Sequence, residues 1–231
     1  MKRIAIILAA GVGNRFGSEK PKQFTLLHKK LVLEYSLEAF QSHPDIDEIL
    51  LVCGKDYLLA MEELKNEKKL AKWLYCIEGG KERYHSSWNA LQFLIQKYGE
   101  NIQLLFHDAA RPFLTQDCID RCIEGFSRYK AFSTGVKTVD TISIVRDGIL
   151  QEVCDRQYQW NVQTPQGFEG GVLKAAYEKA FLDKDFSPTD DCSVVLNYMP
   201  QIAVGMIQGD VRNIKLTHQE DKILLETYLK S

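Results

Sequence analysis

Between residues 11 and 22 the chain sets Gly11, Gly13 and Gly17 among Arg15, Lys20 and Lys22. Glycines let backbone N–H groups come close to a phosphate, and cations neutralise it, so the chemistry on offer is phosphate binding. Spacing excludes two familiar phosphate loops. A dinucleotide fingerprint needs G-x-G-x-x-G, but Phe16 stands where the third glycine belongs and Gly17 comes one residue late. A P-loop needs G-x-x-x-x-G-K-[ST], whereas Gly17 is followed by Ser18 and Glu19.

Further along, Asp108 follows the apolar residues 104–106 inside His107-Asp108-Ala109-Ala110-Arg111-Pro112. A single carboxylate beside nucleotide phosphates suits Mg²⁺, a hard cation that keeps several waters and takes few protein ligands. Alone, Asp108 would read as a helix cap or turn residue; together with the first loop it reads as the metal contact. Residues 78–87 carry Gly79-Gly80, Arg83 and Ser86, where glycines permit close approach to a flat base and Ser86 can hydrogen-bond its edge. The planar fork of Arg156 is suited to a phosphate monoester.

These residues need elements to position them. Residues 4–8 are an apolar run of strand length that opens directly into the glycine loop. Residues 49–53, 74–77 and 104–106 read as further buried strands. Helical spacing covers 31–40, 56–70, 83–98 and 116–129. Alternating strands and helices predict an α/β fold, a Rossmann-like doubly wound, mostly parallel sheet. Ligands of such sheets sit beyond the carboxyl ends of the strands, where both the glycine loop and Asp108 fall. The alternation then breaks. Residues 133–139 and 142–145 look extended, Asp147-Gly148 signals a hairpin, and 149–154 returns. This predicts a β-arm at about 139–163 that cannot bury both faces alone and packs on a second subunit. Residues 172–181 and 192–197 read as helices and 202–207 as a strand. Thr217, with Glu220, reads as the N-cap of a closing helix to about residue 229.

The loop written L-A-A-G-x-G-x-R-x-G-x-x-x-P-K-Q-F resembles that of the sugar-phosphate nucleotidylyltransferases, and Pro21-Lys22-Gln23-Phe24 resembles the branch that uses CTP with methylerythritol or ribitol phosphates. H-D-A-A-R-P, G-G-x-x-R-x-x-S, the Asp155-Arg156 and Trp160…Gln163-Thr164-Pro165-Gln166 segments, Thr189-Asp190-Asp191-x-Ser193 and Asn213-Ile214-Lys215 follow in the same order as in that family. The resemblance covers about residues 3–230. It implies the nucleotidyltransferase fold as a single domain over 1–231, with dimerisation through the arm. It also implies catalytic cations Arg15, Lys22 and Lys215, and nucleotide contacts at Ala9, Ala10, Gly11, Gly13, Gly80, Arg83, Ser86, Asp108 and Ala109. Acceptor contacts fall on Arg111, Thr141, Arg156 and Thr189, and Mg²⁺ on Asp108. The family carries Asp where this chain has Lys81, which leaves a backbone contact at that turn intact. Lys215 owes its role to the resemblance, since an isolated lysine is usually solvated.

The implied activity is transfer of CMP from CTP to 2-C-methyl-D-erythritol 4-phosphate with release of pyrophosphate, in isoprenoid precursor biosynthesis. The alternatives are ribitol 5-phosphate as acceptor, or a non-catalytic nucleotide-binding protein. No general base is expected, because a phosphate monoester is already anionic near neutral pH. A net charge of −2 over 231 residues disfavours nucleic acid as a partner. No segment approaches a membrane span, and the six cysteines form no spaced framework, which predicts a cytoplasmic protein with reduced thiols. Cys118 and Cys122 read as core residues and His107 as structural.

Overall fold

The computed structural model describes residues 1–11 and 21–229. Gly13 and Arg15 lie outside the described residues. In chain order the elements begin with β1 (Lys2–Ala9), β2 (Leu26–Leu27), β3 (Lys30–Leu31), α1 (Val32–Ser42), β4 (Glu48–Cys53), α2 (Leu58–Lys68), β5 (Trp73–Glu78) and α3 (Arg83–Tyr98). Then come β6 (Ile102–Asp108), α4 (Gln116–Gly125), β7 (Ala131–Lys137), β8 (Ser143–Arg146), β9 (Ile149–Val153) and β10 (Trp160–Glu169). The chain closes with α5 (Gly170–Ala180), α6 (Asp191–Tyr198), β11 (Val204–Gln208) and α7 (Gln219–Tyr228).

The main sheet runs β11-β7-β10-β6-β1-β4-β5. It is parallel except for β10, which lies antiparallel between β6 and β7. The mostly parallel, doubly wound sheet expected from the alternation is therefore present, with helices on both faces. Period-two alternation explains the layers. Ala5, Ile7, Leu51 and Leu105 pack toward α1 and α4, through Leu37, Phe40, Ile119 and Cys122. Ile4, Ile6, Leu50, Leu104 and Phe106 pack toward α3, α5 and α6, through Leu91, Leu94, Leu173 and Val195. A third cluster, Leu27, Val32, Leu216 and Leu225, seats α7. Cys118 and Cys122 are core residues, as read from the sequence.

From β1 the chain adds β4 and β5 on one side, then crosses to place β6 on the other. The strand order thus reverses between β1 and β6, and Leu8 and Asp108 are register partners at the carboxyl ends there. This is the switch point where a ligand crevice opens in such sheets.

Four sequence expectations change. Residues 160–169 form strand β10, hidden from pattern reading because its buried side chains include Gln163, Thr164 and Gln166 and its register shifts between Gln163 and Gln166. With Trp160–Gln163 in the main sheet, the separate hairpin is β8–β9, turned by Asp147 and Gly148, both at positive φ. The last helix is capped by His218, not Thr217: the Asp221 carboxylate accepts the N–H groups of both residues at 2.7 Å. Finally, α4 stops at Gly125, where an added Cβ would meet Ile207 and Phe132.

Candidate active site

A cleft of about 540 Å³ opens at the β1/β6 switch point, lined by Gly11, Lys22, Gly80, Arg83, Ser86, Asp108 and Lys215 among others. Segments separated by up to two hundred residues thus meet at one rim of the sheet, and of the three expected catalytic cations Lys22 and Lys215 are both there.

Asp108 is the electrostatic centre. Lys215 Nζ lies 2.7 Å from Oδ2, Arg83 Nε 3.4 Å from Oδ1 and Arg111 Nε 3.9 Å from Oδ2. Burial opposes ionisation, but the charges of Arg83, Lys215 and Arg111 outweigh it and hold the carboxyl far below the ordinary carboxylate range. Along the cleft, Lys22, Lys81, Arg83 and Lys215 outnumber the carboxylates of Glu82 and Asp108, a positive excess that suits a polyanion.

The cations differ in how they are anchored. Arg111 is almost buried, donating from Nη1 to the Asn213 carbonyl at 2.7 Å and from Nη2 to the Val162 carbonyl at 3.4 Å. It ties the Lys215 segment to β10 and sits behind Asp108, away from the residues lining the cleft. Asn213 donates from Nδ2 to the Thr164 carbonyl at 2.7 Å, a structural role as expected. Lys215, on a side chain that is 39 % exposed, rests on Asp108 alone among the described residues.

On the opposite wall, Gly79 and Gly80 permit a close backbone approach. A Cβ on Gly79 would lie 2.4 Å from the Ala10 Cβ and 2.8 Å from Ser86 Oγ; one on Gly80 would lie 2.2 Å from the His85 Cβ. Gly80 donates its N–H to Ser86 Oγ at 3.0 Å. The glycines therefore serve protein packing directly, drawing the turn against the β1 loop and the start of α3. Gln23, absent from the sequence expectations, is buried and donates from Nε2 to the Ala9 carbonyl at 2.6 Å and the Gly11 carbonyl at 2.8 Å. It shapes the strand-to-loop exit; its signal was its place beside Lys22. Ala9 and Ala109 sit behind the cleft wall, where Ala109 donates its N–H to Leu8 O at 3.0 Å.

His107 is fully buried and does not line the cleft, and burial brings its pKa down to about 4. Nε2–H donates to the Arg111 carbonyl at 3.0 Å. Nδ1 then accepts from the Thr164 hydroxyl at 3.0 Å, which in turn accepts the Asp108 N–H at 3.1 Å. This relay fixes the backbone of Asp108 with neutral groups. Because unfolded histidine titrates near 6.5, the unfolded chain gains a proton that the folded protein refuses until about pH 4. Stability from His107 is thus complete above about pH 6.5 and lost as pH falls toward 4, in total about 3 kcal/mol. Urea unfolding between pH 7 and pH 4 should show wild type losing more stability than His107→Gln by about that amount; parallel losses would contradict it.

The expected acceptor residues lie apart from this cleft. Arg156 is exposed, donates from Nη1 to the Val139 carbonyl at 3.3 Å, and lines a second cavity of about 480 Å³ with Lys137, Thr138, Asp155 and Gln157. Thr141 and Thr189 are exposed and line neither cavity.

Among the described residues no three His, Cys, Asp or Glu side chains gather into a metal cage. Asp108 fits a different kind of site. Among the described residues Oδ1 has only the long 3.4 Å contact to Arg83, so a hard carboxylate oxygen is on hand at the cleft. Mg²⁺ characteristically takes one or two carboxylates and completes its shell with phosphate oxygens and water.

Comparison with known proteins identifies the family. Residues 3–231 match the family model described as IspD, 2-C-methyl-D-erythritol 4-phosphate cytidylyltransferase. A protein of that name from Thermobifida fusca is 37% identical over 98% of this chain and 93% of its own. The bifunctional ribulose 5-phosphate reductase/CDP-ribitol pyrophosphorylase Bcs1 of Haemophilus influenzae is also 37% identical, over all of this chain but 48% of its own length. Among solved structures, 4-diphosphocytidyl-2C-methyl-D-erythritol synthase from Anaerococcus prevotii superposes with a TM-score of 0.86 at 31% identity, covering 100% of this chain and 96% of that one. With a family model matched over residues 3–231 and a relative 37% identical across most of both chains, the chain belongs to the 2-C-methyl-D-erythritol 4-phosphate cytidylyltransferase family.

Proposed function

We propose that this chain transfers CMP from CTP to 2-C-methyl-D-erythritol 4-phosphate and releases pyrophosphate, a step of isoprenoid precursor biosynthesis. The observation that carries the reading is the meeting of Lys22, Asp108 and Lys215 at one cleft with the Gly80–Ser86 turn. An oxygen of the acceptor's phosphate attacks the α-phosphorus of CTP. The bond from that phosphorus to the bridging oxygen breaks, and the electron pair leaves with pyrophosphate. The attacking oxygen is already ionised, so no side chain needs to remove a proton. This is consistent with a neutral, buried His107.

What the reaction does require is relief of repulsion between two polyanions, and placement of them in line. Lys22 and Lys215 supply charge to the triphosphate, and Arg15, outside the described residues, is assigned the same task. Gly80 and Ser86 border the place assigned to cytosine. Asp108 would hold Mg²⁺, which when bound supplies further neutralisation of phosphate charge. Arg156, Thr141 and Thr189 are assigned to the acceptor, with Arg111 fixing the wall between the two substrates.

The dispersal of those acceptor residues fits an enzyme completed by a second copy. The β8–β9 hairpin exposes Val145, Ile149, Leu150 and Val153, a ribbon with no sheet of its own to pack on. A homodimer through this arm is the proposed assembly. Ile149→Asp with Leu150→Asp should convert a dimer into monomers in sedimentation velocity, with folding intact because both side chains are already exposed. A monomeric wild type would refute the assignment. No described helix is long and apolar enough to cross a membrane, and the cytoplasm is the proposed location.

Ribitol 5-phosphate is the second acceptor to weigh, favoured by the 37% identity to the Haemophilus influenzae protein. Pyrophosphate release measured with CTP, Mg²⁺ and each acceptor decides between them. Turnover with methylerythritol phosphate well above that with ribitol phosphate is expected; the reverse order would move the assignment, and release with neither would remove it.

A further inference from the structure

We propose that Asp191, backed by Tyr177, is a positioning residue for the transfer: it clamps the Arg83 guanidinium beside Asp108, so that Lys215 is the cation free to leave Asp108 for the phosphates. This rests on the reading of the cleft as the CTP site.

Asp191 is the first residue of α6 and is fully buried. Its Oδ2 accepts from Arg83 Nη1 at 2.7 Å, and its Oδ1 accepts from the Tyr177 hydroxyl at 2.6 Å. The start of α6 does not call for this second acid. Asp190 is already the N-cap, accepting the Ser193 N–H at 2.8 Å. Nor is stability a sufficient reason, because a buried ion pair gains little over apolar packing once its desolvation is counted. Its effect is geometric. Arg83 spans two carboxylates, with Nη1 on Asp191 and Nε 3.4 Å from Asp108.

The three cations on Asp108 are thereby sorted. Arg111 is fixed by the carbonyls of Asn213 and Val162, and Arg83 by Asp191. Lys215 has no such second anchor among the described residues and is the most exposed of the three. Without the charge of Asp191, the Arg83 fork has only Asp108 to pair with among the described residues. A two-pronged Arg83–Asp108 pair would then withhold the carboxylate from the ligand and draw the guanidinium out of the cleft wall. Tyr177 matters because its hydroxyl satisfies the other carboxylate oxygen and prevents Asp191 from turning away.

The test is a double-mutant cycle, with a direct probe in the free protein. Asp191→Asn should lower kcat/KM for CTP on the order of 10- to 100-fold, the range a small misplacement of a binding group produces. In the Arg83→Gln background it should change kcat/KM by no more than about 2-fold, because its effect runs through Arg83. Tyr177→Phe, which keeps the charge, should lower kcat/KM less, and should also lose its effect in the Arg83→Gln background. In the protein without nucleotide, the Arg83 Nη1–H protons, held on Asp191 at 2.7 Å, should be protected from exchange in wild type and lose protection in Asp191→Asn. Multiplying losses, or unchanged kinetics and protection in Asp191→Asn, would overturn the proposal. If Asp191→Asn fails to fold, the cycle with Tyr177→Phe decides by the same criterion. The exchange measurement needs no substrate, so its failure is distinct from an error about CTP.

Discussion

Lys215→Ala should lower kcat/KM for CTP by about 10²- to 10³-fold while the protein stays folded, the loss expected when one preorganised group is removed from developing charge. The side chain reaches the cleft from the segment after β11, and its 2.7 Å contact with Asp108 marks where a phosphate oxygen would compete for it. Folding tolerates the change because Arg83 and Arg111 continue to neutralise Asp108. Lys22→Ala should behave alike, since Lys22 lines the same cleft. Steady-state kinetics with thermal unfolding curves measure both consequences. Near-normal turnover in both variants would remove these lysines from the chemistry.

Asp108→Asn should do more damage, because it disturbs stability and activity together. The carboxylate lies within 4 Å of Arg83, Arg111 and Lys215, and Arg111 is nearly buried. Among the described residues, removing the anion leaves Lys215 and Arg111 without a carboxylate and Arg83 with Asp191 alone, and breaking a buried pair in this way costs about 3–5 kcal/mol. Turnover should fall by at least about 10²-fold, since the variant retains shape but can neither balance Lys215 nor offer a hard anionic ligand. A second change separates the two effects. Adding Lys215→Gln relieves the excess charge, so the double variant should regain part of the lost stability and none of the activity. Equal stability of Asp108→Asn and wild type in urea would show that the three cations do not depend on Asp108.

The parts of this site that were legible in the sequence are those with local signatures. Strands β1, β4 and β6 are short apolar runs flanked by glycine or polar turns, and α3 was placed at Arg83–Tyr98 to the residue. Lys22, Asp108, Gly80 and Ser86 followed from motifs at strand ends, and the structure brings them to one cleft. The long-range supports were not legible. Gln23 on Ala9 and Gly11, Thr164 between His107 and Asp108, and Asp191 under Arg83 are buried polar groups satisfied by partners from other parts of the chain. No periodicity encodes such pairings. Strand β10 failed for the same reason: Gln163, Thr164 and Gln166 look like loop residues until their partners are known, such as Asp210 O at 2.8 Å from Gln163 Nε2. Asp108 reads the other way. Its position was visible, but the cluster of Arg83, Arg111 and Lys215 that holds it ionised was assembled by the fold.

The most direct measurement is a crystal structure of the complex with CTP and Mg²⁺. The triphosphate should lie between Lys22 and Lys215, with cytosine against the Gly80–Ser86 turn, Mg²⁺ on Asp108, and the Lys215 ammonium moved from the carboxylate to phosphate oxygens. A nucleotide bound elsewhere on the sheet, with the Lys215–Asp108 contact unbroken, would contradict the account.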